Sequence, residues 1–222
     1  MLISTLSIFR MPGSIHSQES IAFYQSLNAH QRCISILRDG FKLPFFNENV
    51  PVFWWKNNLS VLEHFEFAQS KVNEWVKNGY AKKVEVKPAH ISPLSVAERI
   101  MLDDTVKLRL CLDASYINRL MITESLKLPP LELSESLIDK DDYMTTLDLA
   151  NCYFHVRLNA QDHGKIAFAL PKSSAENETR YNYYVIEILV YGLKPATLVI
   201  SILTKPLIDH LLTNIHRRYQ GQ

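Results

Sequence analysis

The sequence predicts an α+β fold in which helices and antiparallel strands mix without a regular βαβ rhythm. Two observations indicate this class. Apolar residues recur at helical spacing between residues 61 and 78 and again between 196 and 217. Apolar and polar residues alternate in six short segments, which we predict to be strands at 82–86, 106–113, 143–149, 154–158, 166–170 and 183–189.

The helices are predicted from the residues at their ends as well as from their periodicity. Ser60 and Glu63 form a capping box at the start of the first helix, and Gly79 supplies its stop. Two prolines open a short helix at 129–138. Pro206 should kink the last helix.

Composition bounds the organisation of the chain. Residues 1–40 are rich in Ser, His and Gln, and we expect a poorly ordered lead-in before the main unit at 41–222. A hydrophobic content of 47% suffices for one sizeable core or two small lobes. The three cysteines lack metal-ligand spacing, so we interpret them as reduced thiols of an intracellular protein, cytoplasmic or nuclear. We expect neither a secretory signal nor a membrane span.

The charge distribution is a weak guide to partners. The formal net charge is +1, which argues mildly against a strongly nucleic-acid-binding surface. Between residues 77 and 127, nine Lys and Arg stand against six Asp and Glu. An excess of three cations does not by itself decide for or against a polyanionic partner.

One carboxylate stands out as a candidate metal ligand. Asp148 lies near the end of the predicted strand 143–149, on its polar face. Mg²⁺ takes oxygen ligands and shares them with substrate phosphates, and two-metal phosphoryl transfer uses carboxylates placed in this way. On this residue alone, a solvated or helix-capping aspartate is the more common interpretation.

A second candidate is the polar face of the strand 106–113. Lys107 and Arg109 lie two residues apart, so both side chains reach one anion, and the guanidinium offers a planar fork to phosphate. The plain alternative is a solvated face with an ion pair between Arg109 and Asp113.

The turn at 191–195 is the third candidate. Gly192 permits a close backbone approach or a positive φ, and the N-terminus of the helix behind it favours anions. The acidic pair at 141–142 is interpreted as solvated, as most charge runs are.

Taken in order, these segments resemble the reverse transcriptases of retroelements, closest to the DIRS-like and gypsy-type groups. The resemblance runs from about residue 40 to residue 212. It rests on the segments 40–45, 57–58, 92–96, 107–113 with Asn118, 148–154 and 184–193. It implies a right-hand polymerase with fingers at about 41–122 and 156–190 and a partial palm at about 123–155 and 191–222.

The resemblance implies the metal and triphosphate ligands of an RNA-directed DNA polymerase. Asp148 would be the catalytic carboxylate and first metal ligand, with the backbone carbonyl of Leu149 also facing Mg²⁺ or Mn²⁺. Lys107 and Arg109 would bind the triphosphate of the incoming deoxynucleotide.

The same resemblance implies contacts with the sugar and with nucleic acid. Tyr153 would exclude a ribose 2′-hydroxyl, and Gly192 would make a backbone contact with nucleotide or template. Lys194, together with Lys107 and Arg109, would contact the RNA or DNA template and its primer.

The sequence also departs from the family pattern. The family usually has proline at the positions of Val190 and Thr197, and Pro195 stands two places early. The aromatic-x-Asp-Asp turn, which supplies the remaining catalytic carboxylates, does not occur before Gln222. We therefore expect a truncated fragment that is inactive alone. The alternatives are a non-catalytic nucleic-acid-binding or interaction remnant and a gene-model fragment without a stable fold.

Overall fold

The computed structural model describes residues 14–122, 124–126, 148–175 and 179–219, with only the backbone of residue 14 and of residues 215–219. The helix predicted at 129–138, the acidic pair at 141–142 and most of the strand predicted at 143–149 lie outside these ranges. The elements are α1 (Gln18–Ser26), α2 (Gln31–Asp39), β1 (Phe53–Trp54), α3 (Leu59–Glu63), α4 (Phe65–Lys77), β2 (Lys82–Val84), β3 (His90–Ile91), β4 (Leu94–Ile100), β5 (Val106–Leu112), α5 (Ser115–Arg119), β6 (Ala167–Pro171), β7 (Tyr181–Val185) and α6 (Ala196–Tyr219).

The strands form three small sheets. β4 and β5 make an antiparallel hairpin from Leu94↔Leu112 to Ile100↔Val106. β7 lies between β2 and β6, antiparallel to both, and β1 pairs in parallel with β3. Helices and mainly antiparallel strands therefore mix in the described chain, which confirms the predicted α+β class.

The core is densest around β6, where all five residues are buried. The ring of Phe168 stacks on Tyr184 of β7 with centroids 5.0 Å apart, and the indole of Trp75 in α4 meets it edge-on at 5.8 Å. One face of the sheet therefore packs on α4. β6 and β7 pair as an antiparallel hairpin, and beyond the strand ends Lys172 N donates to Arg180 O at 3.0 Å.

The lead-in prediction is wrong for the described part of residues 14–40. α1 and α2 form there, and Leu37 of α2 is fully buried in the common core. The buried hydroxyl of Tyr24 donates to the carbonyl of Leu203 in α6 at 3.0 Å. The polar composition concealed a few apolar positions whose burial depends on distant parts of the chain.

The first predicted helix is two helices, α3 and α4, with a break at His64 (φ −114°, ψ 40°). The capping box is also wrong, because Ser60 Oγ accepts a hydrogen bond from the backbone N–H of Val96 at 3.0 Å. The predicted stop is confirmed. Gly79 has φ +72° and follows directly on the C-cap of α4.

The strand predicted at 154–158 is wrong in its first half. Residues Cys152–His155 form a 3₁₀ turn that begins after Asn151 in the left-handed region (φ 52°). Only the isolated bridges Arg157↔Ile188 and Phe41↔Leu158 follow. The apolar alternation arose because Val156 and Leu158 both enter the core, not because the segment pairs as a regular strand.

The last helix, α6, is 24 residues long and contains Pro206; the predicted kink stays a prediction. Its segment Ala196–Asn214 has a mean hydropathy of 1.3 and is long enough to cross a membrane. One such helix is weak evidence for a membrane span, because core helices of soluble proteins have similar compositions. The expectation that the chain has no membrane span therefore stays a prediction.

Candidate active site

A pocket of about 670 Å³ lies between β5 and the turn that precedes α6. Its lining joins basic side chains to aromatic ones from five separate segments of the chain. The lining residues are Phe67, Lys71, Trp75, Tyr80, Lys107, Leu108, Arg109, Leu110, Cys111, Leu112, Asn151, Phe154, Ile186, Val190, Tyr191 and Gly192. Lys107 and Arg109, the two predicted triphosphate ligands, therefore share one pocket with Gly192.

β5 forms the basic wall of the pocket. Lys107 and Arg109 are exposed, while Leu108 and Leu110 on the other face are half-buried, as the alternation predicts. Asp113 does not pair with Arg109, since its carboxylate accepts from the backbone N–H of Ser115 at 2.9 Å. The hydrogen bonds from Ser115 hold the pKa of the Asp113 carboxyl below its ordinary value. The cations of β5 are thus not neutralised by this aspartate.

Aromatic rings form the opposite wall. The Tyr191 ring meets Tyr153 edge-on at 4.6 Å between centroids, and it meets Phe154 at 5.6 Å. Tyr80 contacts the other side of this group through Phe154 at 4.5 Å. The Tyr153 hydroxyl lies 3.5 Å from Thr197 Oγ1, at the limit of hydrogen-bond distance. Tyr153, the predicted sugar gate, does not itself line the pocket but is held in a cluster of four rings, of which Tyr80, Phe154 and Tyr191 do.

Asp148 is exposed and lies at the start of the segment that leads into the 3₁₀ turn. Burial raises the pKa of the Tyr191 phenol, and the charge of Asp148 raises it further while that of Arg109 lowers it. Burial also raises the pKa of the Cys152 thiol, with a smaller contribution from Asp148. Both the candidate metal ligand and the candidate triphosphate ligand thus lie within electrostatic range of one tyrosine.

An asparagine joins the two walls of the pocket. Asn118 in α5 donates from Nδ2 to the carbonyl of Gly192 at 2.7 Å and accepts with Oδ1 from Lys194 N at 2.8 Å. Gly192 has φ +87°, a conformation that other residues rarely adopt. The reciprocal pair of hydrogen bonds therefore fixes the turn relative to the helix that follows β5.

Lys194 is placed differently from the prediction of a nucleic-acid contact. Its ammonium donates to the carbonyl of Met121 at 3.1 Å, with the carbonyl of Asn118 at 3.5 Å. Asn118 belongs to the last turn of α5, and Met121 lies directly after its C-cap Leu120, where a cation is favoured by the helix dipole. This contact gives Lys194 a structural role, and its nucleic-acid role stays a prediction.

Sequence reasoning missed several residues of this site. Lys71 lines the pocket from α4, where it pairs with Glu74 at 2.6 Å. Arg99 of β4 lies directly opposite Lys107 in the hairpin and adds a cation to the same face. Neither had a local signal, because an i,i+3 ion pair and a charged strand position are common on surfaces. Tyr191 did have a local signal, because it lies in the turn at 191–195 that the sequence had indicated.

Asp148 is the candidate ligand for a divalent metal ion. Asp148 and the carbonyl of Leu149 are oxygen donors of the kind that Mg²⁺ takes. Within residues 14–122, 124–126, 148–175 and 179–219, however, no three His, Cys, Asp or Glu side chains are grouped to hold a metal. The described residues fit the type of ligand but not the number that two ions need.

Comparison with known families decides the identity. A family model described as reverse transcriptase (RNA-dependent DNA polymerase) matches residues 91–220, more than half of the chain. The chain belongs to the reverse transcriptase family. No curated protein matches it. The match contains β5, Asp148, Tyr153 and the Gly192 turn, whereas residues 40–90, the upstream part of the resemblance, lie outside it.

Membership of the reverse transcriptase family carries its general chemistry. Reverse transcriptases are RNA-directed DNA polymerases that use divalent metal ions, a nucleic-acid template with a primer, and deoxynucleoside triphosphates. Of the two positions where the family usually has proline, Val190 is buried and lines the pocket. Thr197 lies beside the Tyr153 hydroxyl instead of the usual proline.

Proposed function

We propose that this chain carries the nucleotide-binding part of a retroelement reverse transcriptase of the DIRS-like or gypsy type. In this proposal the pocket between β5 and the Gly192 turn receives a deoxynucleoside triphosphate opposite an RNA or DNA template. The observation that carries the proposal is the pocket itself, which brings Lys107 and Arg109 of β5 together with Tyr191 and Gly192 of the turn before α6. Cations for phosphate and a glycine turn then line one cavity.

Each wall of the pocket has a distinct part in this proposal. Lys107 and Arg109 bind the triphosphate, with the guanidinium offering two parallel N–H donors. Tyr153 lies under the sugar and leaves no room for a 2′-hydroxyl, the group that distinguishes ribose from deoxyribose. Its edge-on contact with Tyr191 at 4.6 Å supports a fixed ring, as steric exclusion requires. Gly192 allows the nucleotide or template to approach the backbone.

The carboxylate side is the incomplete part of the described site. Asp148 and the carbonyl of Leu149 would hold Mg²⁺ or Mn²⁺, and two such ions would activate the primer 3′-hydroxyl and stabilise the leaving pyrophosphate. The 222 residues contain no aromatic-x-Asp-Asp sequence to hold a second ion. We therefore propose that these residues bind nucleotide and primed template but do not extend a primer by themselves.

Nucleotide binding tests the pocket directly. The Lys107→Ala, Arg109→Ala double variant should lose most of its affinity for a fluorescent deoxynucleoside triphosphate, because hydrogen bonds to charged groups contribute roughly 1.5–3 kcal/mol each. The Arg38→Ala, Lys42→Ala double variant is the matched control. It removes the same charge from two exposed ion pairs, with Asp39 and Glu48, that do not line the pocket. Equal affinity in the two double variants would refute the pocket assignment.

Primer extension tests the proposed inactivity. On a primed RNA template with Mg²⁺ or Mn²⁺, the 222-residue chain should add no nucleotide, because one carboxylate cannot hold both ions. Template-dependent incorporation that disappears in Asp148→Ala would show instead that another carboxylate completes the site. Binding of primed template without nucleotide binding would favour a non-catalytic nucleic-acid-binding remnant.

A further inference from the structure

The hairpin of β4 and β5 carries the two predicted triphosphate ligands on its outer half. Lys107 and Arg109 flank Leu108 on β5, and Leu108 is the cross-strand partner of Glu98 on β4. Residues 97–100 of β4 are exposed, as are both cations. The position of this outer half therefore decides where the two cations lie.

The base of the same hairpin is fixed to the segment around α3. Leu94 N donates to Asn57 Oδ1 at 2.8 Å, and Val96 N donates to Ser60 Oγ at 3.0 Å. Both strand residues are buried. These two bonds lie before residue 97, so they fix the base and leave the orientation of the outer half to other contacts.

One hydrogen bond reaches the outer half from a helix break. His64, whose backbone forms the break between α3 and α4, donates from Nε2 to Glu98 Oε1 at 2.7 Å. Nε2 is the donor because an ionised carboxylate only accepts. Within the described part of the chain, this is the one hydrogen bond or ion pair that joins residues 97–109 to another element.

The side chain of Glu98 faces away from the two cations. Directly opposite residues of an antiparallel pair share a face, so Glu98 lies on the face of Leu108, which packs against the core. Neighbouring residues along a strand alternate, so Lys107 and Arg109 lie on the other face. The carboxylate therefore points to His64 and not to either cation.

We propose that His64 and Glu98 are positioning residues for the nucleotide, because their hydrogen bond holds the outer half of the hairpin where Lys107 and Arg109 meet the triphosphate. This inference rests on the proposed function, since the triphosphate is the ligand that these cations bind. Without the bond, the hairpin occupies the binding-competent position for only part of the time, and the apparent affinity falls by that fraction. Neither His64 nor Glu98 lines the pocket, so their effect is exerted through the hairpin.

Titration of a fluorescent deoxynucleoside triphosphate into the 222-residue chain tests the positioning role. Glu98→Ala should weaken the affinity about fivefold, in keeping with the net contribution of one hydrogen bond. Glu63→Ala is the matched control, because Glu63 is exposed and precedes His64 by one position. Removal of a negative charge by itself favours an anionic ligand, so the control should leave the affinity unchanged or raise it.

Two further variants separate positioning from a simple loss of stability. Glu98→Gln keeps an oxygen that accepts from His64 Nε2, so it should retain most of the wild-type affinity. The double variant His64→Ala, Glu98→Ala should bind no more weakly than either single variant, because both substitutions break the same bond.

Amide hydrogen exchange measures the order of the hairpin without a ligand. Glu98→Ala should speed exchange at residues 106–109 and leave it unchanged at Leu94 and Val96, whose N–H groups are bonded at the base. Wild-type affinity in Glu98→Ala, an equal loss in Glu63→Ala or Glu98→Gln, or unchanged exchange at residues 106–109 would overturn the inference. Absence of triphosphate binding by the wild-type chain would instead refute the proposed function.

Discussion

Two aspartates, fourteen residues apart, lie in opposite environments. Asp162 is fully buried, and its carboxylate accepts from Leu43 N at 2.7 Å and from Lys165 Nζ at 2.8 Å. Asp148 is exposed, and its charge acts on the groups of the pocket. The lone pairs of Asp162 are used within the protein, whereas those of Asp148 face solvent. The difference indicates that Asp162 serves the fold and that the carboxylate of Asp148 is accessible to a ligand.

The region around Asp162 is a tightly packed junction between distant segments. Phe41 N donates to Arg157 O at 2.8 Å, and Asn159 N donates back to Phe41 O at 2.9 Å. A Cβ atom on Gly40 would lie 2.6 Å from the carbonyl oxygen of Leu158, so only glycine fits there. Asp162 adds its hydrogen bonds to this junction, which joins the end of α2 to the segment before β6.

The largest expected effect is a difference in the free energy of unfolding between variants of the two aspartates. Asp162→Ala should lower the free energy of unfolding by about 3–5 kcal/mol, because it leaves Lys165 without its buried partner and the Leu43 N–H without an acceptor. Asp148→Ala should change it by no more than about 0.5 kcal/mol, as is usual for exposed sites. Urea unfolding followed by circular dichroism measures both. Similar losses in the two variants would contradict the division between a structural and a functional aspartate.

A smaller loss of stability is expected on substitution of Asn118, which bonds the turn that contains Gly192. Asn118→Ala removes two hydrogen bonds to the Gly192 turn, and because these groups are partly exposed, water replaces part of the loss. We expect about 1 kcal/mol less stability, together with weaker nucleotide binding, since the turn and β5 would no longer be fixed to each other.

The amide chemistry of Asn118 supplies a control for that prediction. Asn118→Asp keeps the acceptor for Lys194 N but loses the donor to the Gly192 carbonyl, so it should weaken nucleotide binding while keeping part of the stability. Unchanged nucleotide affinity in Asn118→Ala would show that the asparagine supports the fold without positioning the pocket.

The smallest expected effect is the loss of stability in acid that is contributed by the half-buried His16. His16 Nε2 accepts from Arg157 N at 2.8 Å while Nδ1 donates to Leu37 O at 2.8 Å, so the ring is neutral in the folded chain. Burial lowers its pKa below the ordinary 6.5. The unfolded chain then binds the proton more readily. The contribution of His16 is therefore present above 6.5 and is lost as the pH falls below that value.

Urea unfolding at about pH 8 and about pH 5 measures this loss, since the ordinary histidine titrates between them. His16→Gln should show a smaller decrease in stability between the two conditions than the wild-type chain. His210→Gln, at an exposed histidine of α6, should keep the wild-type decrease. A wild-type decrease that persists in His16→Gln would assign the acid sensitivity to other groups.

Much of the pocket could be predicted because its signals are local. The alternation along β5 places Lys107 and Arg109 on one exposed face of the strand, as predicted, and both line the pocket. The strands predicted at 166–170 and 183–189 overlap β6 and β7. Asp148, Tyr153 and Gly192 were found by their order along the chain, which is a property of sequence. The roles of these residues stay predictions until binding is measured.

Other features depend on partners that are distant in sequence. Ser60 has the pattern of a capping residue, but it bonds Val96 because β4 lies beside α3. Lys194 also donates from its ammonium to the carbonyl of Met121, which lies just beyond α5, and its nucleic-acid contact stays a prediction. Asp162 has no distinguishing neighbours in the sequence, and only the approach of Leu43 makes it structural. At Ser60 a capping preference of about 1 kcal/mol is outweighed by contacts formed when distant segments pack.

The sequence by itself determined the α+β class, the polar face of β5 and the order of the family motifs. These follow from the period of side chains along a strand or helix, which needs no knowledge of the rest of the chain. The tertiary structure decided that α1 and α2 belong to the core and that Asn118 joins the walls of the pocket. It also decided that His64 bonds Glu98. Such contacts depend on the spatial arrangement of segments far apart in sequence, which periodicity along one segment does not encode.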